Sequence, residues 1–200
     1  MINQGIIPAT GIITTLYHLE KIVGLDHILG CSPRDDPKSI QRRGHSEKER
    51  KIIEKIFFEL LKDLPGITFL ARINRQIVGV LRMKSCSGSK INNECAKTGD
   101  VANLEWRKSY WQNEWARHDS LEQHWHLDPV GVLPSHQGKS IGTKLLGRFC
   151  QEVDACLSPA YLETDTDKNV RFYERFGFEI VKETEIFYVK NRYMWRPTVS

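Results

Sequence analysis

Residues 124–146 run His124-Trp125-His126-Leu127-Asp128-Pro129-Val130-Gly131-Val132-Leu133-Pro134-Ser135-His136-Gln137-Gly138-Lys139-Ser140-Ile141-Gly142-Thr143-Lys144-Leu145-Leu146. Alternation from Trp125 to Leu133 predicts a buried strand. A polar turn follows, containing two glycines and a serine. Leu145, Leu146 and Phe149 then open a helical period. A strand that passes through a small-residue turn into a helix aims backbone N–H groups and a helix N-terminus at one point. That arrangement is an anion site, suited to phosphates.

Two kinds of phosphate loop compete for this turn. Gly138-Lys139-Ser140 looks like the end of a nucleoside-triphosphate P-loop, which needs a glycine five residues before Gly138. Position 133 is Leu, and Gly131 is out of register, so that reading fails. What fits is Gln137-x-x-x-x-Gly142 after a Val130-x-Val132 strand end. Here the chain resembles the GCN5-related N-acetyltransferase superfamily. Its coenzyme A loop is Gln/Arg-x-x-Gly-x-Gly/Ala, placed just after the strand's last valine. Gln137 and Gly142 match, and Ser140 stands in place of the middle glycine. A second segment is Tyr161-Leu162-Glu163-Thr164, then Asn169-x-x-x-Tyr173-x-x-x-Gly177-Phe178. It is similar to the superfamily's Asn…Tyr…Gly-Phe motif. Within the superfamily, the two segments look most like the branch containing puromycin N-acetyltransferase.

The resemblance implies a single α+β domain over residues 1–200. The expected sheet is mixed, mostly antiparallel, of about seven strands, with splayed central strands and flanking helices. It also implies acetyl-CoA as acyl donor. The pyrophosphate would sit on the loop Gln137, Gly138, Lys139, Ser140, Ile141, Gly142 and Thr143. A positive φ at Ser140 would cost roughly 1 kcal/mol. The pantetheine arm would pair like an added strand with the backbone of Val130 and Val132. That requires the strand to part from its neighbour, and Pro129 and Gly131 are the residues expected at a bulge or splay. Asn169 matches the residue that contacts a pantetheine amide, and Phe172 and Arg175 join the donor site. Tyr173 matches the acid that protonates the leaving thiolate, a sensible role for a phenol neutral at pH 7. Some histone-acetylating members carry a catalytic glutamate where this chain has His126. Glu163 on the neighbouring strand is the other candidate base. The His124-x-His126 pair could bind metal, but a third ligand with suitable spacing is not evident, so no metal site is assigned.

Composition bounds these readings. With 200 residues and 40% hydrophobic content, the chain can bury a real core. A net charge of +4 from 29 basic and 25 acidic residues suits a small polyanionic ligand. No basic stripe with interleaved aromatics points to nucleic acid. Five cysteines, at 31, 86, 95, 150 and 156, lack CxxC spacing and read as reduced thiols of a cytoplasmic protein. The apolar N-terminus is broken by Gly5, Pro8 and Gly11 and has no basic residue before Lys21, a poor secretory signal. No 18-residue apolar run predicts a membrane span. The expected partners are acetyl-CoA and a small amine acceptor, with no nucleic acid and no membrane; a homodimer is the assembly to test.

In chain order, residues 2–8 predict a short strand. Thr10 caps a helix carrying Ile12, Ile13, Leu16, Leu19 and Val23 on one face. Residues 31–45 read as a loop. Ser46-x-x-Glu49 is a capping box before a helix striped by Ile52, Ile56, Leu60 and Leu64. Residues 68–73 and 76–84 alternate around Asn74-Arg75 as a hairpin, and 85–100 read as a polar loop. A helix over 104–118 holds Trp106, Tyr110, Trp111 and Trp115, either as core or as the wall of an acceptor pocket. The helix from the anion loop reaches about Leu157. Residues 160–164 form a strand, 169–176 a short helix ended by Gly177, and 178–183 and 187–195 two antiparallel strands. The leading function is acetyl transfer to a primary amine of a small molecule. Acetylation of a protein Lys or N-terminus, and non-catalytic coenzyme binding, are the alternatives.

Overall fold

The computed structural model describes residues 6–8, 66–74, 76–88, 104–187 and 189–199. The helices expected at 10–23 and 46–64, and the loops at 31–45 and 89–100, lie outside them. The elements are β1 (Ile6–Pro8), β2 (Ile67–Ile73), β3 (Gln76–Cys86), α1 (Leu104–His118), β4 (His124–Val132), α2 (Ile141–Ala155), β5 (Ala160–Thr164), α3 (Asp167–Glu174), β6 (Glu179–Ile186) and β7 (Val189–Arg196). They form an α+β fold with one seven-stranded sheet of order β1-β2-β3-β4-β5-β7-β6. Neighbouring strands are antiparallel except β4 and β5, which run parallel.

The hairpin turns where the alternation breaks. Ile73 pairs with Gln76, and Asn74 takes the left-handed φ of 49° that a two-residue hairpin loop demands. Strand β3 continues through Ser85 and Cys86, which the polar composition had assigned to a loop. Its pairing partners Trp125 and His124 hold it in the sheet. Helix α2 stops at Ala155, just short of the expected end, because Leu157 turns out of the helix at φ 47°. Helix α3 starts earlier than expected: Thr166 is its N-cap and its hydroxyl accepts the N–H of Asn169 at 3.3 Å. Gly177 follows at φ 82°, the αL stop that glycine permits.

Helix α2 turns Leu145, Leu146, Phe149 and Val153, all fully buried, onto β2, β3 and β4. Each such side chain contributes roughly 1.5–3 kcal/mol. Gly79 on β3 lets the helix come close: a Cβ there would stand 3.0 Å from Ile141 and from Leu145. Helix α1 lies on the opposite face. The His118 ring lies tilted against Tyr193 with centroids 4.7 Å apart, Trp115 donates its indole N–H to Asn191 Oδ1 at 3.2 Å, and Tyr161 donates its hydroxyl to the His118 carbonyl.

Candidate active site

Strand β4 changes phase in its middle. Leu81 pairs with Val130 and Met83 with Leu127, so Asp128 and Pro129 together oppose Arg82 alone. This is a β-bulge. Paired residues share a face, so Leu127, Val130 and Val132 all point toward α2. His124 and His126 point the other way, beside Cys86 and Lys84. Strict alternation puts Asp128 on the histidines' face, and it lies there, its carboxylate 3.6 Å from the ammonium of Lys84, the pairing partner of His126. The phase changes only after it, at Pro129 and Val130. Pro129 sits at the bulge as expected. Gly131 does not, since it pairs regularly with Val80.

Strands β4 and β5 touch over two residue pairs, Trp125 with Ala160 and His126 with Tyr161. Beyond them the strands part. Leu162, Glu163 and Thr164 pair with β7, while Leu127 to Val132 pair with β3. The result is a wedge open through the sheet. Leu133 donates its N–H to the Val78 carbonyl at 2.9 Å. Backbone directions alternate along a strand, so the N–H and C=O groups of Val132 and Val130 face the wedge. Gln137 reaches back and donates its amide to Val132 O at 3.2 Å. That leaves the N–H of Val132 and both polar groups of Val130 for an extended ligand.

The loop closes this edge. Gly138 and Ser140 both take left-handed backbone, at φ 74° and 59°. Glycine accepts this freely. For Ser140, the N-cap of α2, it costs about 1–2 kcal/mol. The Ser140 hydroxyl makes no capping hydrogen bond. The first-turn N–H groups at Ile141, Gly142 and Thr143 have no helical partner and meet the positive end of the α2 dipole. Ile141 is itself buried, so only its backbone is on offer. Lys139 is exposed and its ammonium donates to Ser135 O at 3.2 Å. A Cβ on Gly142 would stand 3.5 Å from the Phe172 ring and 3.8 Å from Val132. The loop, the strand end and α3 thus meet at Gly142.

Helix α3 brings its residues to the α2 side of the wedge. Tyr173 is buried against Phe178 and Phe172, with ring centroids 6.0 and 5.4 Å away. Burial, and then the Asp165 carboxylate, raise its phenol above the usual tyrosine range, so it stays protonated. Arg175 is exposed and sits over the Phe172 ring at 5.1 Å. Asn169 is exposed on the first turn of α3.

On the α1 side, His126 Nε2 lies 2.8 Å from Glu163 Oε2. Both side chains are buried, at 9% and 5% exposure. Burial opposes protonation of His126, but Glu163 and Cys86 outweigh it and raise its pKa. Two neighbours escaped the sequence reading. Cys86 comes from the end of β3 and Asp119 from the loop after α1, and both approach His124 and His126. Asp119 and Cys86 raise the His124 pKa against its burial. Both histidines pull the Cys86 thiol down to about 7, although burial opposes it. Asp119 was visible five residues before His124. Cys86 was not, because its proximity exists only through the β3–β4 register.

Around the α1 face the aromatic side chains form a wall. Trp106, Tyr110 and Trp111 gather on Phe187, with centroids 5.6, 5.1 and 6.3 Å from its ring. Trp111 is buried, and Trp115 meets it edge-on at 6.0 Å. The core reading of this helix holds for Trp111, which is buried; Trp115 lies on the sheet face that carries Glu163.

Comparison with known proteins agrees with this geometry. Residues 34–178 match the family model described as Acetyltransferase (GNAT) family. The structure of histone acetyltransferase HPA2 and related acetyltransferase from Corynebacterium glutamicum superposes with a TM-score of 0.61 at 20% identity, covering 98% of this chain and 97% of that one. An acetyltransferase from Thermus thermophilus gives 0.54 at 18% identity, covering 97% and 96%. NAA60 from Arabidopsis thaliana, solved with acetyl-CoA, gives 0.52 at 11% identity, covering 96% and 97%. At these identities the likeness is one of fold.

Proposed function

The chain belongs to the Acetyltransferase (GNAT) family, an acyltransferase using acetyl-CoA as donor, and from that premise we propose that it acetylates a primary amine of a small molecule. The acceptor lone pair attacks the thioester carbon in a ternary complex. An N–C bond forms, the carbonyl oxygen gains charge, and the C–S bond then breaks. The wedge-facing N–H groups of Val130 and Val132 are suited to receive that developing charge. Tyr173, on the α2 side, gives its proton to the departing thiolate. Glu163, on the α1 side, takes the proton of the acceptor ammonium, and His126 positions its carboxylate through the 2.8 Å contact. The pyrophosphate rests on the N–H groups at the start of α2. Gln137 holds the strand end in shape, Lys139 and Arg175 supply positive charge beside the loop, and Asn169 contacts the arm.

The observation behind a small acceptor is the α1 cover. Trp115 is fixed by its bond to Asn191, and Tyr161 is tied to the end of α1. That closes over the face carrying Glu163 and favours a compact, partly aromatic amine over an extended peptide. The puromycin N-acetyltransferase-like branch fits this reading. Free thiols at Cys86, Cys150 and Cys156 suit a cytoplasmic setting. Thiol release from acetyl-CoA across a panel of aromatic and aliphatic amines, with N-terminal and lysyl peptides as a second arm, is the test. Turnover confined to small amines supports the proposal. Preferential peptide turnover moves the acceptor to proteins, and no turnover on either arm counts against catalysis.

A further inference from the structure

At the closed end of the wedge, four side chains turn one donor atom each toward a common point. They are Cys86 at the end of β3, Asp119 after α1, and His124 and His126 on β4, and these atoms lie within 4.8 Å of one another. Both imidazoles are oriented by their outer nitrogens. His124 Nδ1 lies 2.8 Å from the Glu122 carbonyl, which can only accept, so Nδ1 carries the hydrogen and Nε2 the lone pair in the neutral ring. His126 Nε2 faces the Glu163 carboxylate at 2.8 Å, which leaves the lone pair on Nδ1. Both inward nitrogens are buried, and neither has a hydrogen-bond partner. Asp119 Oδ1 stands 3.1 Å from His124 Nε2, an ion-pair contact when that ring is protonated, so the neutral ring turns its lone pair toward a carboxylate that can only accept. A buried polar atom left unsatisfied costs about 1–3 kcal/mol. His126 Nδ1, and His124 Nε2 whenever its ring is neutral, converge with a thiol and a carboxylate and call for a shared partner.

We propose that Cys86, Asp119, His124 and His126 bind one zinc ion. The donor set is one thiolate, two imidazoles and a carboxylate, each a common zinc ligand. Bond lengths of about 2.3 Å to sulfur and 2.0–2.1 Å to nitrogen and oxygen make tetrahedral edges of about 3.3–3.7 Å. From separations of up to 4.8 Å, the four atoms therefore need to close by about 1.5 Å at most. Each histidine already gives its outer N–H to a backbone carbonyl or a carboxylate, the usual support for a metal-bound imidazole. The Cys86 thiol releases its proton to solvent on binding. Four protein ligands leave no open position, so the site is structural. It ties β3, β4 and the loop after α1 together where β4 and β5 are still paired. Through His126 it also fixes the orientation of Glu163. This site stands apart from the identity of the acceptor.

The test uses the full chain, stripped with a chelator and titrated with cobalt(II) as a spectroscopic stand-in. Tetrahedral visible bands and a thiolate-to-metal charge-transfer band should saturate at one cobalt per chain, and one zinc should displace it. The charge-transfer band should vanish in Cys86→Ser and persist in Cys156→Ser, since Cys156 is exposed. Should Cys86→Ser not fold, the wild-type chain supplies the second measurement. One equivalent of zinc should abolish iodoacetamide labelling of Cys86, mapped by mass spectrometry, and leave Cys156 labelled. A charge-transfer band that survives Cys86→Ser, or the absence of both band and protection, overturns the proposal.

Discussion

The two ends of β4 are built on different principles. From Val130 onward the strand has parted from β5. Its side chains are plain valines, and its chemistry lies in backbone groups turned into a gap. At Trp125 and His126 the strand is paired on both sides, and His124 is held by β3. Here the backbone is spent on the sheet, and the chemistry lies in buried polar side chains. One end can receive a ligand because a neighbour is missing. The other concentrates charge because its neighbours crowd in from β3, β5 and the loop after α1. The bulge at Asp128-Pro129 separates the two by reversing which face each end presents.

The comparison breaks most sharply at Tyr173 and Glu163, the two residues proposed to handle protons. Tyr173→Phe removes the proposed acid on the α2 side and keeps the ring packing on Phe178. We expect kcat to fall about 10²- to 10³-fold with the acetyl-CoA KM unchanged. Equal kcat in the variant would remove Tyr173 from the chemistry. Glu163→Gln acts at the other end and should lower kcat about 10²-fold for an alkyl amine. An acceptor amine whose pKa lies below the assay pH needs no base, so its turnover should fall far less. A uniform loss across amines would mean that Glu163 shapes the site without taking the proton.

These two residues differ in how far the sequence revealed their surroundings. The strand–loop–helix geometry of the proposed donor end was legible because it is local. A strand, a loop with Gly138 and Gly142, and a helix start lie within one short window, and backbone recognition needs only small residues in register. Tyr173 was legible through its spacing from Asn169 and Gly177. The histidine end was half hidden. Period two aligned His124, His126 and Asp128 on one face, where Asp128 meets Lys84, but the phase change at Pro129 and Val130 leaves no mark in a hydrophobic pattern. Cys86 read as loop because Ser85, Ser87 and Gly88 surround it, while the register with His124 makes it strand. No local pattern encodes a ligand contributed across 38 residues of chain, from Cys86 to His124.

Gly142→Val tests the donor end alone. A Cβ fits in ordinary contact with Phe172 and Val132, so Gly142→Ala should bind donor normally. The branched methyls of valine have nowhere to go except toward the ring or the ligand side. The acetyl-CoA KM should rise about tenfold, equivalent to about 1.4 kcal/mol. The fold and the cobalt spectrum of the histidine end should be unchanged. A change in that spectrum would show that the two ends are coupled through the strand.

Ser140→Gly is the smallest effect and the finest probe of the donor loop. Serine at φ 59° costs about 1–2 kcal/mol relative to a relaxed backbone. Glycine removes that strain but gives the unfolded chain more freedom, worth about 0.5–1 kcal/mol. The net gain is about 0.5 kcal/mol, or a Tm increase of about 1–2 °C for a chain of this size. The kinetic outcome carries more information than the melt. If donor recognition at this end rests on backbone alone, the acetyl-CoA KM stays at the wild-type value. A severalfold rise would mean that the Ser140 hydroxyl, which makes no capping bond within the protein, is held in reserve for phosphate. The donor end would then share with the histidine end a polar side chain kept free for a ligand, at the one position where this chain departs from the family's glycine.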